Sequence, residues 1–129
     1  MKKRIIASIT ALAMYLLATS SYADSIVHIW NCKLNDGKTT ENLAAVTSDW
    51  LKAAKTMEGG GALELYLEFP EAAAVGDGSF SFVLVAPDTK TWGLFMNDYP
   101  ESPAAKADEA WGEVATCSGS SLWRSVAFE

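Results

Sequence analysis

The chain has 129 residues, half of them hydrophobic, with ten basic and sixteen acidic side chains for a net charge of −6, one histidine and two cysteines. That length suits a single domain with one core. The acidic balance argues against a nucleic-acid partner and against adhesion to anionic lipid, and one histidine excludes a histidine cluster for metal.

Lys2, Lys3 and Arg4 precede an apolar stretch from Ile5 to Leu17, broken only by Ser8 and Thr10, and Ser21-Tyr22-Ala23 follows. This is the order of a secretory signal, so residues 1–23 are expected to be a signal peptide cleaved after Ala23. The apolar run of about 13 residues falls short of the roughly 20 that a membrane span needs. No second run of spanning length follows, so no membrane association is expected after cleavage. The signal holds three of the ten basic residues and none of the sixteen acidic ones, leaving 24–129 as one domain of 106 residues with a net charge of −9. The expected location is periplasmic or secreted, where Cys32 and Cys117 should form a disulfide.

Residues 26–34 are β-branched and aromatic and end at Asn35-Asp36-Gly37, which reads as a first strand and a turn. Thr39 and Thr40 can cap a helix whose apolar positions Leu43, Val46, Trp50, Leu51, Ala54 and Met57 keep helical spacing, and Gly59-Gly60-Gly61 ends it. Leu63, Leu65, Leu67 and Phe69 alternate with Glu64, Tyr66 and Glu68 in a second strand closed by Pro70. A loop around Gly76-Asp77-Gly78 leads to a third strand, Ser79 to Ala86. Trp92, Phe95, Met96 and Tyr99 give 89–99 the spacing of a short helix. Ser102-Pro103 then opens a long one, with Ala104, Ala107, Trp111, Val114 and Cys117 on one face. After a turn at Ser118-Gly119-Ser120-Ser121, Leu122 to Phe128 reads as the last strand.

The order strand, helix, strand, strand, helix, strand is that of an α+β ferredoxin-like βαββαβ sandwich, an antiparallel four-stranded sheet with two helices on one face. In it strand four lies antiparallel to strand one, which brings Cys32 and Cys117 to the same end. The other sheet face is left bare, and neither side of strand one is fully polar: Ile26, His28, Trp30, Cys32 and Leu34 alternate with Val27, Ile29, Asn31 and Lys33. In this element order the chain resembles the dimeric α+β barrel superfamily, in which two such sheets pack bare face to bare face. The resemblance implies a homodimer and, for its cofactor-independent monooxygenases and haem-degrading enzymes, an asparagine on strand one, a tryptophan after strand three and often a histidine on the second long helix. Asn31 and Trp92 match the first two; the helix from Pro103 to Thr116 has no histidine, which departs from the haem-degrading pattern.

Chemical motifs are few. Ser118-Gly119-Ser120-Ser121 lacks the strand-to-helix setting of a nucleophile elbow, Gly59-Gly60-Gly61 follows a helix where a phosphate loop must precede one, and Asn35-Asp36-Gly37-Lys38 has too few calcium-ligand positions. No cofactor and no metal are therefore expected. Trp30, Trp50 and Trp111 fall on core faces; Trp92 and Trp123 fall near sheet ends. With Cys32, Leu63, Leu65 and Leu67 under the helices, the bare face carries Val27, Ile29, Asn31, Glu64, Tyr66, Glu68, Val83 and Val85, an apolar wall with a few polar groups that suits a small, partly apolar ligand. Asn31, Tyr66, Trp92, Arg124 and His28 are the candidate ligand-binding residues. Whether Arg124 joins that face is open, because Leu122, Val126 and Phe128 share its side. The expectation is an exported homodimeric domain that binds a small molecule on its sheet. The alternatives are a cofactor-independent monooxygenase-like enzyme with Asn31, Trp92 and His28 near the substrate, and a protein interaction module.

Overall fold

The computed structural model describes residues 24–72 and 74–128, so the expected signal segment 1–23 lies outside it. Strand β1 (Ser25–Leu34) is followed by helix α1 (Thr40–Ala54), a 3-10 turn (Gly60–Ala62), β2 (Glu64–Glu68), β3 (Ser79–Ala86), α2 (Thr89–Asp98), α3 (Pro103–Gly112) and β4 (Ala115–Ser125). The strands form one antiparallel sheet in the order β2-β3-β1-β4, the ferredoxin-like arrangement, with a third helix added between β3 and α3. No helix among the described residues is long and apolar enough to cross a membrane.

Local chemistry sets the helix starts. Thr39 and Asn42 form a reciprocal capping box on α1, with the Thr39 hydroxyl accepting from the Asn42 amide at 3.2 Å and the Asn42 side chain accepting from the Thr39 amide at 3.1 Å. Asp88 caps α2 through the Thr91 amide at 2.7 Å, and Ser102 caps α3 through the Ala105 amide at 3.0 Å with Pro103 behind it. The glycine triplet serves close packing as well as helix termination. Gly59 takes a left-handed φ of 76° beside the Thr91 carbonyl of α2, and a Cβ on Gly60 would lie 1.7 Å from the Ala54 carbonyl oxygen.

The core lies between the sheet and the helices. Leu43, Trp50, Phe82, Leu84, Phe95 and Trp111 fill it from all three helices and the central strand. Two polar contacts tie the helices, one buried and one part-buried: the Trp111 indole N–H donates to the Thr47 hydroxyl at 3.0 Å, and the Trp50 indole N–H donates to the Tyr99 hydroxyl at 3.2 Å.

The largest departure from the sequence expectation is at β4. The strand starts at Ala115, seven residues before the expected Leu122, and the serine-rich stretch 118–121 is ladder, not turn. Asn35 explains the early start. Its amide donates to the Val114 carbonyl at 2.9 Å, its side chain donates to the Gly112 carbonyl at 3.0 Å, and Thr116 donates to its side-chain oxygen at 2.8 Å, so the end of α3 is clamped to the end of β1. From there β4 pairs along the whole of β1, and Cys32 stands directly opposite Cys117. The two form a disulfide across 85 residues of chain, as expected, and the bridge points to an oxidising compartment. Between the Asn31–Gly119 and Cys32–Cys117 pairs, Ser118 is an extra residue, a β-bulge that reverses the alternation of the rest of the strand.

Candidate functional site

The pairing register assigns every strand residue to a face. Ile26, His28, Trp30 and Cys32 of β1 lie opposite Ala86, Leu84, Phe82 and Phe80 of β3 on the helix-covered side. Val27, Ile29 and Asn31 lie opposite Val85, Val83 and Ser81 on the bare side, where β2 adds Glu64, Tyr66 and Glu68. Beyond the bulge, Trp123 pairs with Val27 and so faces the bare side, while Arg124 pairs with Ile26 and faces the helix side.

This separates the expected ligand-binding residues into three groups. Asn31 and Tyr66 share the bare face as expected, but they stand two strands and two residues apart, about 12 Å between Cα positions from strand spacing and rise. Tyr66 is 49% exposed and its hydroxyl donates to Glu64, whose hydrogen bond and charge raise the phenol above its ordinary pKa. Asn31 borders a wide groove at the Lys33 end of that face, together with Glu68, Phe69 and Ser118. His28 and Trp92 come together on the opposite side. The His28 ring stacks on Trp30 with centroids 3.5 Å apart and an interplanar angle of 27°, and the Trp92 ring lies 6.0 Å away. Burial lowers the His28 pKa, which favours the neutral imidazole. His28 Nδ1 and Trp92 Nε1 are both buried without a hydrogen-bond partner among the described residues, and neither group borders the Asn31 groove. Arg124 pairs with Asp24 at 3.4 Å at the sheet edge, away from Asn31 and Tyr66, because the bulge turned it to the other face.

A second space lies on the helix side of the sheet. A cleft of about 550 Å³ lies between the helix-covered face and the helices, walled by Trp30 and Phe82 of the sheet, Trp50 of α1, Phe95 and Met96 of α2, Tyr99, and Asp108 and Trp111 of α3. Gly112, Ala115, Thr116 and Cys117, from the connection between α3 and β4 where side chains are small, complete the lining. Edge-to-face contacts hold the walls: Trp50 meets Phe82 at 5.2 Å and 89°, and Trp111 meets Phe82 at 5.5 Å and 87°. Tyr99 and Asp108 supply the polar groups. Because the Tyr99 oxygen accepts from Trp50, its own proton is free to donate toward Asp108 or a ligand. Burial raises the Tyr99 pKa; Asp108 stands exposed at the edge of the cleft, and the partial burial of its carboxyl raises its pKa against the opposing influence of the Tyr99 hydroxyl.

None of the five expected residues lines this cleft. Its tryptophans were visible as core positions, but Tyr99 and Asp108 carried no motif. One signal was available: Asp108 lies at i+4 from Ala104 and i−3 from Trp111, a carboxylate beside the apolar stripe of its own helix. Among the described residues no group of three or more His, Cys, Asp or Glu side chains stands close enough to hold a metal ion.

No protein-family model matches the chain, and no curated protein matches it in sequence. Solved structures do. SnoaB, a cofactor-independent oxygenase from Streptomyces nogalater, superposes with a TM-score of 0.56 at 11% identity over 78% of this chain and 92% of its own. A putative antibiotic biosynthesis monooxygenase from Caulobacter crescentus gives 0.54 at 13% over 84% and 93%. A dimeric ferredoxin-like protein of unknown function from Thermobifida fusca gives 0.50 at 15% over 81% and 92%. At such identities the likeness shows the fold alone, a ferredoxin-like α+β sandwich, the architecture that the element order implied.

Proposed function

We propose that the protein is an exported homodimeric domain that binds a small, partly apolar molecule in the aromatic cleft between its sheet and its helices. The observation that carries this reading is the cleft itself, about 550 Å³ of space walled by interlocked aromatic rings with Tyr99 and Asp108 as its polar groups, a composition suited to small-molecule capture. Export is supported by the order of charged, apolar and small residues in 1–23 and by the disulfide. Dimerisation is supported by the bare face, where Val27, Ile29, Val83 and Val85 form an apolar strip flanked by exposed Tyr66 and Trp123, and by the dimeric state of the Thermobifida fusca protein.

The test uses the cleft tryptophans as reporters. Titration of the secreted protein with 2-naphthol should quench Trp30, Trp50 and Trp111 emission saturably, and Met96→Trp, which fills the cleft, should abolish saturation while leaving the far-ultraviolet circular dichroism intact. Quenching that never saturates, or that survives Met96→Trp, would refute the reading. A second reading, a cofactor-independent monooxygenase-like enzyme, is favoured by the likeness to SnoaB. In it Tyr99 and Asp108 are the groups placed to meet a substrate, and consumption of dissolved oxygen with an electron-rich phenol is the assay.

A further inference from the structure

The chemistry of the cleft walls narrows the class of molecule that fits. Three indoles, a phenol and two phenyl rings surround the space, and the face of an aromatic ring is its negative side. Asp108 carries the only carboxyl of the lining, and no lysine or arginine lines the space. Asp108 also lacks a basic partner: the ion pairs among the described residues are Lys52 with Asp49 and Arg124 with Asp24, so no lysine or arginine of those residues neutralises Asp108. Tyr99 can donate one hydrogen bond to the carboxylate, which leaves the carboxylate further lone pairs to offer a ligand. Electron-rich rings beside an unneutralised carboxylate attract a cation and repel an anion. The acidity of residues 24–129, with a net charge of −9, adds a long-range field of the same preference.

We propose that the ligand of the aromatic cleft is an organic cation, an apolar body bearing an amine or quaternary ammonium that lodges against Asp108 among Trp50, Tyr99 and Trp111. This rests on the cleft being the ligand site and adds the charge of the occupant. An anion of equal size is disfavoured by the same groups.

Three probes sharing a benzyl body separate the two levels of the reading: benzyltrimethylammonium, its uncharged carbon isostere neopentylbenzene, and anionic phenylacetate, each titrated into the secreted protein by tryptophan fluorescence. The ammonium should bind at least about ten-fold tighter than the isostere, the size expected when a cation meets desolvated rings and a carboxylate, and phenylacetate should bind weakest. Asp108→Asn should cut the ammonium preference to roughly three-fold or less, the remaining ring contribution, without weakening the isostere. Equal affinity of ammonium and isostere, tighter binding of phenylacetate, or a preference unchanged in Asp108→Asn would overturn the cation assignment and leave the cleft reading standing. Absence of saturable binding by all three would overturn both.

Discussion

Replacing both cysteines, Cys32→Ala with Cys117→Ala, removes a covalent closure between residues 85 apart. Chain-entropy reasoning gives such a closure roughly 4.5 kcal/mol at 25 °C, because the unfolded chain regains the freedom of a long loop. The native side adds little relief, since Cys32 is 6% exposed and its removal opens a small void under the helices. Against a total stability of about 5 to 15 kcal/mol for a domain of this size, the bridge is a large share. Urea unfolding followed by tryptophan fluorescence should show the midpoint fall, with a loss of about 3 to 5 kcal/mol. The slope with denaturant should steepen too, because the unbridged unfolded chain is more expanded and exposes more surface. A loss below about 1 kcal/mol with an unchanged slope would refute the reasoning, and would mean that the unfolded ensemble already holds β1 and β4 together without the bond.

Two further perturbations probe the sheet. Ile29 is partly exposed on the bare face, opposite Val83 and Ser121, so Ile29→Glu puts a charge into the proposed dimer contact. The wild type should sediment as a dimer and the variant as a folded monomer or an aggregate; a monomeric wild type at high concentration would refute face-to-face pairing. His28 tests the helix side. Burial lowers its pKa below the ordinary 6.5, so the folded state binds fewer protons than the unfolded state as pH falls. Its contribution is therefore fully present above pH 6.5 and is lost as pH falls from there through the lowered folded value. His28→Phe keeps a ring against Trp30 and should flatten the melting temperature against pH below 6.5; parallel curves for the two proteins would refute this.

The elements that were legible in sequence are those whose side chains repeat. Alternation marked β2, helical spacing marked α1 and the start of α3, and the caps at Thr39 and Ser102 fell where the structure has them, but α3 ends at Gly112 rather than Thr116, because Cys117 belongs to β4. β4 was not legible. Serine and glycine have little preference for strand, and Ser118 to Ser121 read as turn because nothing local reveals that β1 offers a complete edge for them to pair with. Nor does local sequence reveal a bulge. One extra residue at Ser118 exchanged the faces of everything after it, which put Arg124 beside Ile26 and Trp123 beside Val27. The separation of Asn31 and Tyr66 had a different origin: both faces were assigned correctly, but their distance depends on strand order and register, which alternation alone does not fix.

The cleft was hidden for a further reason: its walls are core residues. Trp50 and Trp111 satisfy every sequence criterion for burial, and both are buried, at 4% and 6% exposure. What keeps the space between them from closing is that each is fixed twice. Trp50 packs edge-on to Phe82 and donates to Tyr99; Trp111 packs edge-on to Phe82 and donates to Thr47. Rotating either indole inward would break a hydrogen bond and an aromatic contact together, at a cost for Trp111, whose bond is buried, of about 1 to 3 kcal/mol for the orphaned N–H alone. The glycine and alanine at 112 and 115 offer no side chain long enough to fill the gap in their place. A cavity bounded by rings whose rotation costs that much and by backbone that cannot reach across is largely preformed, so the proposed ligand would meet walls already in position and bear little of the ordering cost that binding usually carries.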